Sequence, residues 1–177
     1  LAVILDTFSS IWPGRIDFYG QNLGDVWKHS RLTYDDATKN LMPFHKLSQW
    51  LTYSLLEPFE WAGIRITGLD ELTGLAEYRN GGLFIDSGVL ALKDPDALTK
   101  EYKPEEELIV EWRALTLALL DELRAPVAEK LGLSPDDFPL ACLLEGGSWA
   151  AGRKLAYQRD PENGRPPIQI ISDGTVF

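Results

Sequence analysis

Cysteine and methionine each occur once in these 177 residues, histidine occurs twice, and 17 basic residues face 27 acidic ones. Each shortage excludes something. With Cys142 alone no internal disulfide can form, which fits a reducing, cytoplasmic compartment. Nothing beside Cys142 in sequence activates a thiol, so it reads as a small core residue. His29 and His45 have no partners at ligand spacing, so neither a metal nor another cofactor is expected. A net charge of -10 without clustered Lys and Arg argues against a nucleic-acid partner, because phosphate backbones reward clustered cations. No apolar run approaches the ~20 residues of a membrane span, so no membrane partner is expected. An initiator methionine is also missing, and Leu1-Ala2-Val3-Ile4-Leu5 runs into Asp6 without the basic flank of a signal peptide. The expectation is a chain that begins inside a longer protein, with the upstream half as a partner.

What is present is 45% hydrophobic, enough apolar mass for a single domain over residues 1–177. Periodicity predicts a mainly α fold with short strand or extended segments. A first helix is expected from Leu1 to Trp12, stopped by Pro13-Gly14. Residues 13–43 read as a long packed loop with one helical turn near Leu23–Lys28. Pro43 should open a helix that runs to about Trp61, kinked or ended by Pro58. On it, Leu47, Leu51, Ser54, Leu55 and Pro58 form an expected core face, while Lys46, Gln49, Trp50 and Tyr53 form a polar pocket wall. Ile64-Arg65-Ile66-Thr67 is a short strand or extended link, followed by a short helix carrying Leu72, Leu75 and Ala76 with Glu77 near its end. Gly81-Gly82 lets the backbone turn or approach a ligand. Leu83–Leu92 is a second short helix or a strand. Leu108–Leu123 is nearly all apolar and reads as a central helix buried on most sides. Ser134 and Ser148 are expected to cap two later helices, and Ile168–Ile171 is a candidate strand.

Three segments bring ionisable groups into apolar surroundings: Phe44–Trp50, Leu75–Gly82 and Val110–Ala114. In the second, Glu77, Tyr78 and Arg79 stand side by side. A pocket built from all three is the working expectation. The plainer reading is structural: Glu77 and Arg79 as an ion pair anchoring a tight turn, Lys46 as a surface lysine, and Glu111 and Arg113 each bracing a different neighbour. Gly146-Gly147-Ser148-Trp149 reads as an interhelix turn or as a phosphate-cradling helix start.

Several motifs carry a resemblance. Leu23-Gly24-Asp25-Val26-Trp27, Pro43 through Trp50, Leu72-Thr73-Gly74-Leu75 through Gly82, Glu145 through Arg153, and Ser172 through Phe177 resemble the uracil catabolism protein 4 family. That group is fungal and bacterial, of unknown function, and tied to a route of uracil breakdown. Its members are roughly twice this length, so the chain resembles their C-terminal half. A more distant similarity is to the queuosine 5'-phosphate N-glycosylase family, carried by Lys46, Gln49, Leu72-Thr73, Glu77-Tyr78-Arg79 and Glu111-Trp112-Arg113. Glu77 stands where that family has aspartate, and Asn80-Gly81-Gly82 replaces a different tripeptide.

The resemblance implies a helical bundle like the helix-hairpin-helix DNA glycosylases and hydrolysis of an N-ribosyl bond in a uracil-derived ribonucleotide or ring-opened product. Glu77 would activate water and Lys46 would assist as the second catalytic group. Gln49, Trp50, Tyr53, Tyr78, Arg79, Asn80, Glu111 and Arg113 would bind the ribonucleotide or phosphosugar. The competing expectation is a noncatalytic nucleotide-binding or scaffold protein of the same pathway.

Overall fold

The computed structural model describes residues 1–8, 11–172 and 174–175, without the side chains of Pro135 and Glu145. Helix α1 spans Ala2–Phe8; it stops short of the Trp12 expected from spacing, and Ser9 and Ser10 lie outside the described residues. A hairpin of β1 (Asp17–Phe18) and β2 (Gln21–Asn22) follows. Strand β3 (Val26–Lys28) then pairs antiparallel with β4 (Leu41–Pro43), Val26 opposite Pro43 and Lys28 opposite Leu41. A helical turn was the expectation for Leu23–Lys28. The β-branched Val26 and aromatic Trp27 instead bury as a strand, at 4% and 3% exposure.

Helix α2 covers Lys46–Ser54, three residues later than Pro43 suggests. Pro43 closes β4, and the Asp25 carbonyl accepts from the Phe44 and His45 amides at 3.0 and 3.3 Å, holding this corner outside the helix. His45, at the helix entry, has φ 49°, in the left-handed region. Helix α3 (Leu56–Trp61) restarts after Leu55, because Pro58 has no N–H to continue the ladder back to Ser54. Neither expected face of α2 is uniform: the apolar one is only half-buried, and of the polar one Gln49 is buried, Lys46 and Tyr53 half-buried and Trp50 exposed. Ser48 and Gln49 are its buried residues, whereas Leu47, Leu51 and Leu55 are half-buried and Ser54 and Pro58 exposed. Polar groups are drawn inward by hydrogen bonds to the Thr73 backbone, from Tyr53 Oη at 2.9 Å and to Gln49 Oε1 at 3.4 Å. Ile64–Thr67 is an extended link.

Helix α4 spans Tyr78–Asp86. Glu77 therefore begins a helix rather than ending one, and the segment from Leu72 to Ala76 is not α-helical. Gly81 and Gly82 lie inside α4 as packing surfaces, not as a turn. A Cβ on Gly81 would sit 2.9 Å from Thr116 Oγ1 and the Trp112 ring, and one on Gly82 3.2 Å from Pro167. After a 3-10 turn at Pro95–Thr99 and strand β5 (Glu101–Tyr102), helix α5 runs from Glu107 to Leu131, with Pro126 inside it.

Its buried stripe, Ile109, Val110, Trp112, Arg113, Thr116, Leu120 and Ala128, recurs at three- and four-residue steps. The opposite side is open, since Leu115 is exposed; the expected burial on most sides is confined to the stripe. Three apolar clusters share this helix: Leu120 and Ala128 with Phe84, Phe138 and Leu143; Val110 with Trp27, Phe44 and Ala76; Ile109 and Trp112 with Ile168.

Ser134 Oγ accepts the Asp137 amide at 3.2 Å, so Ser134 caps a 3-10 turn, Pro135–Asp137, rather than an α-helix. Helix α6 (Leu140–Leu143) passes through a π-helical turn, Leu144–Trp149, into α7 (Ala150–Arg159). Ser148 is thus mid-helix and caps nothing, and no helix start exists there to cradle phosphate. Cys142 is exposed on α6, not in the core, because Leu140 and Leu143 take the inward positions. Strand β6 (Gln169–Ile170) pairs parallel with β5. The chain is mainly α-helical with two-stranded ladders, and among the described residues no helix is long and apolar enough to cross a membrane.

Helices α4 and α7 touch at Gly152, where a Cβ would stand 2.0 Å from the Arg79 carbonyl oxygen. Backbone cannot yield there as a side chain would. Gly152→Ala should destabilise by about 1–3 kcal/mol in urea unfolding, the range for overpacking. Gly146→Ala, with nothing within 4 Å of the added carbon, should be neutral or stabilising.

Candidate functional site

Glu77 has extended backbone, φ -123° and ψ 160°, and its carboxylate turns back over the first turn of α4. Oε1 accepts the Asn80 amide at 2.5 Å and Oε2 the Arg79 amide at 2.8 Å. Both amides are otherwise orphans of a helix start. Burial, the largest influence, pushes the Glu77 carboxyl above its ordinary 4.5, against those two bonds and the charges of Lys46 and Arg79. A half-buried acid that holds protons more tightly than usual, beside a lysine, suits general acid–base work.

Asn80 is enclosed, at 1% exposure, and locks this turn from inside. Its Nδ2 donates to the Leu75 carbonyl at 3.1 Å and its Oδ1 accepts from Ser148 Oγ at 2.8 Å, which ties α4 to the π-helical turn. Gln49 and Tyr53 both hold Thr73, four residues ahead of Glu77. Burial and the nearby Asp121 charge push the Tyr53 phenol up to about 12, so it stays a donor at neutral pH.

The remaining expected site residues are placed elsewhere or are already engaged. Arg79 donates to the Gly164 carbonyl at 2.5 Å and lies over the Tyr78 ring at 4.7 Å. Tyr78 packs on the Ile109–Trp112 cluster. Trp50 is 53% exposed. Glu111 faces the β3–β4 loop, with Arg31 at 3.7 Å and His29 Nε2 at 4.0 Å.

Arg113 is fully buried. Its two terminal nitrogens grip Asp25 Oδ1 and Oδ2 at 2.8 Å each, Nε donates to the Ala76 carbonyl at 3.2 Å, and the guanidinium lies 4.0 Å from the Phe44 ring centre. Asp25 further accepts from Trp27 Nε1 at 2.6 Å and from the Lys46 amide at 2.9 Å. Burial alone would raise the Asp25 carboxyl, but Arg113 and these N–H groups together hold it below its usual 3.8.

The sequence reading did not single out Asp25 as a site residue. The available signal was a lone acid between Gly24 and Val26-Trp27, and a buried Arg113 needing a partner. His45 and Ser48 were missed as well. With Trp12, Arg15, Leu23 and Leu47 they line a cavity of about 780 Å³ between α1, the β1–β3 region and the start of α2. Among the described residues, no three His, Cys, Asp or Glu side chains converge as a metal site.

Residues 1–177 match the family described as "Protein of unknown function (DUF1688)". Protein urg3 of Schizosaccharomyces pombe is 50% identical over 169 residues, which cover 94% of this chain and 41% of that protein. Uracil catabolism protein 4 of Lachancea kluyveri is 45% identical over 196 residues, covering 98% of this chain and 44% of that protein. The chain thus spans less than half the length of these relatives.

Breaking the Asp25–Arg113 pair leaves one ion buried and alone, so Asp25→Ala should cost about 3–5 kcal/mol in urea unfolding. Asp25→Leu with Arg113→Met should recover most of that loss. A double variant no more stable than Asp25→Ala would refute the assignment of the loss to the stranded charge.

The two carboxylates also leave opposite marks on pH dependence. The Asp25 contribution is present above 3.8 and vanishes as pH falls through its lower folded value. The Glu77 contribution is complete below 4.5 and disappears as pH rises through its higher folded value. Glu77→Gln, which cannot ionise, should therefore gain on the parent as pH climbs from about 4 to about 8 in a series of denaturation midpoints.

Proposed function

The chain belongs to the family described as "Protein of unknown function (DUF1688)", and from that membership and the setting of Glu77 we propose that it serves uracil catabolism as the C-terminal half of an N-ribosyl hydrolase. The pathway rests on the name of one relative, Uracil catabolism protein 4, and on the extent of the identity. The chemistry rests on one observation: a half-buried carboxylate, held by two backbone N–H groups, with its pKa raised by burial and Lys46 as a neighbouring charge.

In this reading Glu77 takes a proton from water as the water oxygen bonds to the anomeric carbon. The carbon–nitrogen bond breaks, and the departing nitrogen acquires a proton in place of the ribosyl group. Glu77 also offsets the positive charge that builds on the sugar, while Lys46 assists the leaving group. The substrate is a uracil-derived ribonucleotide or its ring-opened product, and the upstream half of the longer protein supplies the other walls. The likeness to helix-hairpin-helix glycosylases belongs to this proposal. No cofactor is needed for such a step.

A second reading follows from the same carboxylate. Both oxygens already cap α4, as they would in a noncatalytic nucleotide-binding subunit. The readings part on Glu77→Gln in the full-length protein, assayed for release of ribose 5-phosphate from UMP and from ribosylurea 5-phosphate. The hydrolase predicts turnover with one of these that falls about 10²- to 10⁴-fold in the variant, the weight of a general base. The cap alone predicts a change of about 1 kcal/mol in stability and no turnover to lose.

A further inference from the structure

Most of the chain packs around the stripe of α5, but one side does not. Among the described residues none in 1–23 is buried, and none in 51–73. Helices α1 and α3 therefore bury no residue, although Val3, Ile4, Leu5 and Phe8 fill the first and Leu56, Phe59 and Trp61 the second. Helices this short do not persist in water by propensity, and owe their stability to packing of an apolar face.

Helix α3 is nonetheless a finished element. Gly63, with φ 76°, ends it in the left-handed conformation. Its amide donates to the Glu60 carbonyl and the Ile64 amide to the Phe59 carbonyl, each at 2.9 Å. These two bonds close the last turn and return Ile64 to the level of Phe59. Phe59 and Trp61, two residues apart, point to nearly opposite sides of the helix, and a helix apolar on both sides is ordinarily enclosed. Here Leu55 and Leu56 are half-buried, while Phe59, Trp61 and Ile64 are 42%, 80% and 52% exposed. Aromatic residues presented bare on an ordered helix mark an interaction surface.

The length of the relatives indicates what covers it. The family match runs through residues 1–177, yet Protein urg3 and Uracil catabolism protein 4 each have more than half of their length outside the matched part. In a chain that corresponds to their C-terminal half, that further polypeptide precedes α1. Ala2 and Leu5 of α1 line the same cavity as Leu47 of α2, so a chain entering through α1 arrives beside α2 and the α3 that follows it. A tethered segment meets such a surface at an effective concentration of about millimolar, which a separate copy does not reach.

We propose that the outer side of α3, with Trp61 as its anchor, is the docking surface for the upstream half of the longer family protein. The inference rests on the reading of this chain as a C-terminal half, and not on hydrolysis at Glu77.

The test places p-benzoylphenylalanine at position 61 of the full-length protein, followed by irradiation, a denaturing gel and peptide mapping. The expected product is a monomer-sized band in which position 61 is joined to a peptide upstream of Leu1. A dimer-sized product assigns the surface to a second copy, and no product leaves the helix bare in water; either result overturns the proposal. Hydroxyl-radical footprinting of the unsubstituted full-length protein gives an independent reading. Trp61 should oxidise several-fold more slowly in the native protein than in urea, and equal rates overturn the proposal. Trp61→Ala should expose Phe59 and Ile64 to labelling, whereas Trp61→Phe keeps the anchor and should leave them protected. Glu77→Gln should give the parent's footprint whatever its turnover, which keeps this surface separable from the fate of the hydrolase reading.

Discussion

The buried pair of Asp25 and Arg113 is the constraint on which the rest of the structure depends. Arg113 comes from the stripe of α5 that faces all three apolar clusters, and Asp25 from the turn before β3. Through its side chain and carbonyl, Asp25 also receives Trp27, Phe44, His45 and Lys46. Arg113 in turn holds the Ala76 carbonyl, one residue before Glu77. Two ions removed from water are tolerated only when nearly all their hydrogen-bonding capacity is used, and here that demand gathers four segments around one point. Their mutual placement is fixed by this charge satisfaction together with the apolar contacts of Trp27, Phe44, Ala76 and Val110.

One consequence concerns the cations. Arg113 is spent on Asp25 and Arg79 on the Gly164 carbonyl, so these guanidiniums work as fasteners between segments. What they position is more telling. The Asp25–Arg113 pair sets both the first residue of α2 and the residue preceding Glu77. Lys46 and Glu77 are therefore brought into electrostatic contact by a third party, with no direct sequence relation between them.

The sequence was most legible where periodicity or cap chemistry acts locally. The central helix over Leu108–Leu123 was legible in its apolar run, although α5 continues to Leu131 and buries one stripe instead of most sides. Pro58 marked the break between α2 and α3. It misled where distant partners decide. Gly81-Gly82 reads as a flexible pair by itself, and becomes helical because Trp112, Thr116 and Pro167 need the room. Gln49 of α2 is buried, against the expected burial of its leucines, because the Thr73 backbone, far off in sequence, engages Gln49 and Tyr53. Ser148 has the chemistry of a cap, but the π-helical turn carries the helix straight through it. Of the candidate site, Glu77 and Lys46 were visible as charges in apolar company. Asp25, His45 and Ser48 were not, since their significance comes from a cavity that three separate elements enclose.

That cavity and the carboxylate share α2. Lys46, whose charge reaches Glu77, is followed directly by Leu47 and Ser48, both of which line the cavity. One residue of helix rise, about 1.5 Å, separates Lys46 from the cavity lining. The position of this helix start is held by Asp25 on the amide of Lys46 and by the left-handed turn at His45. The Asp25 carboxylate therefore fixes, through one amide, the helix start from which the Lys46 charge reaches Glu77.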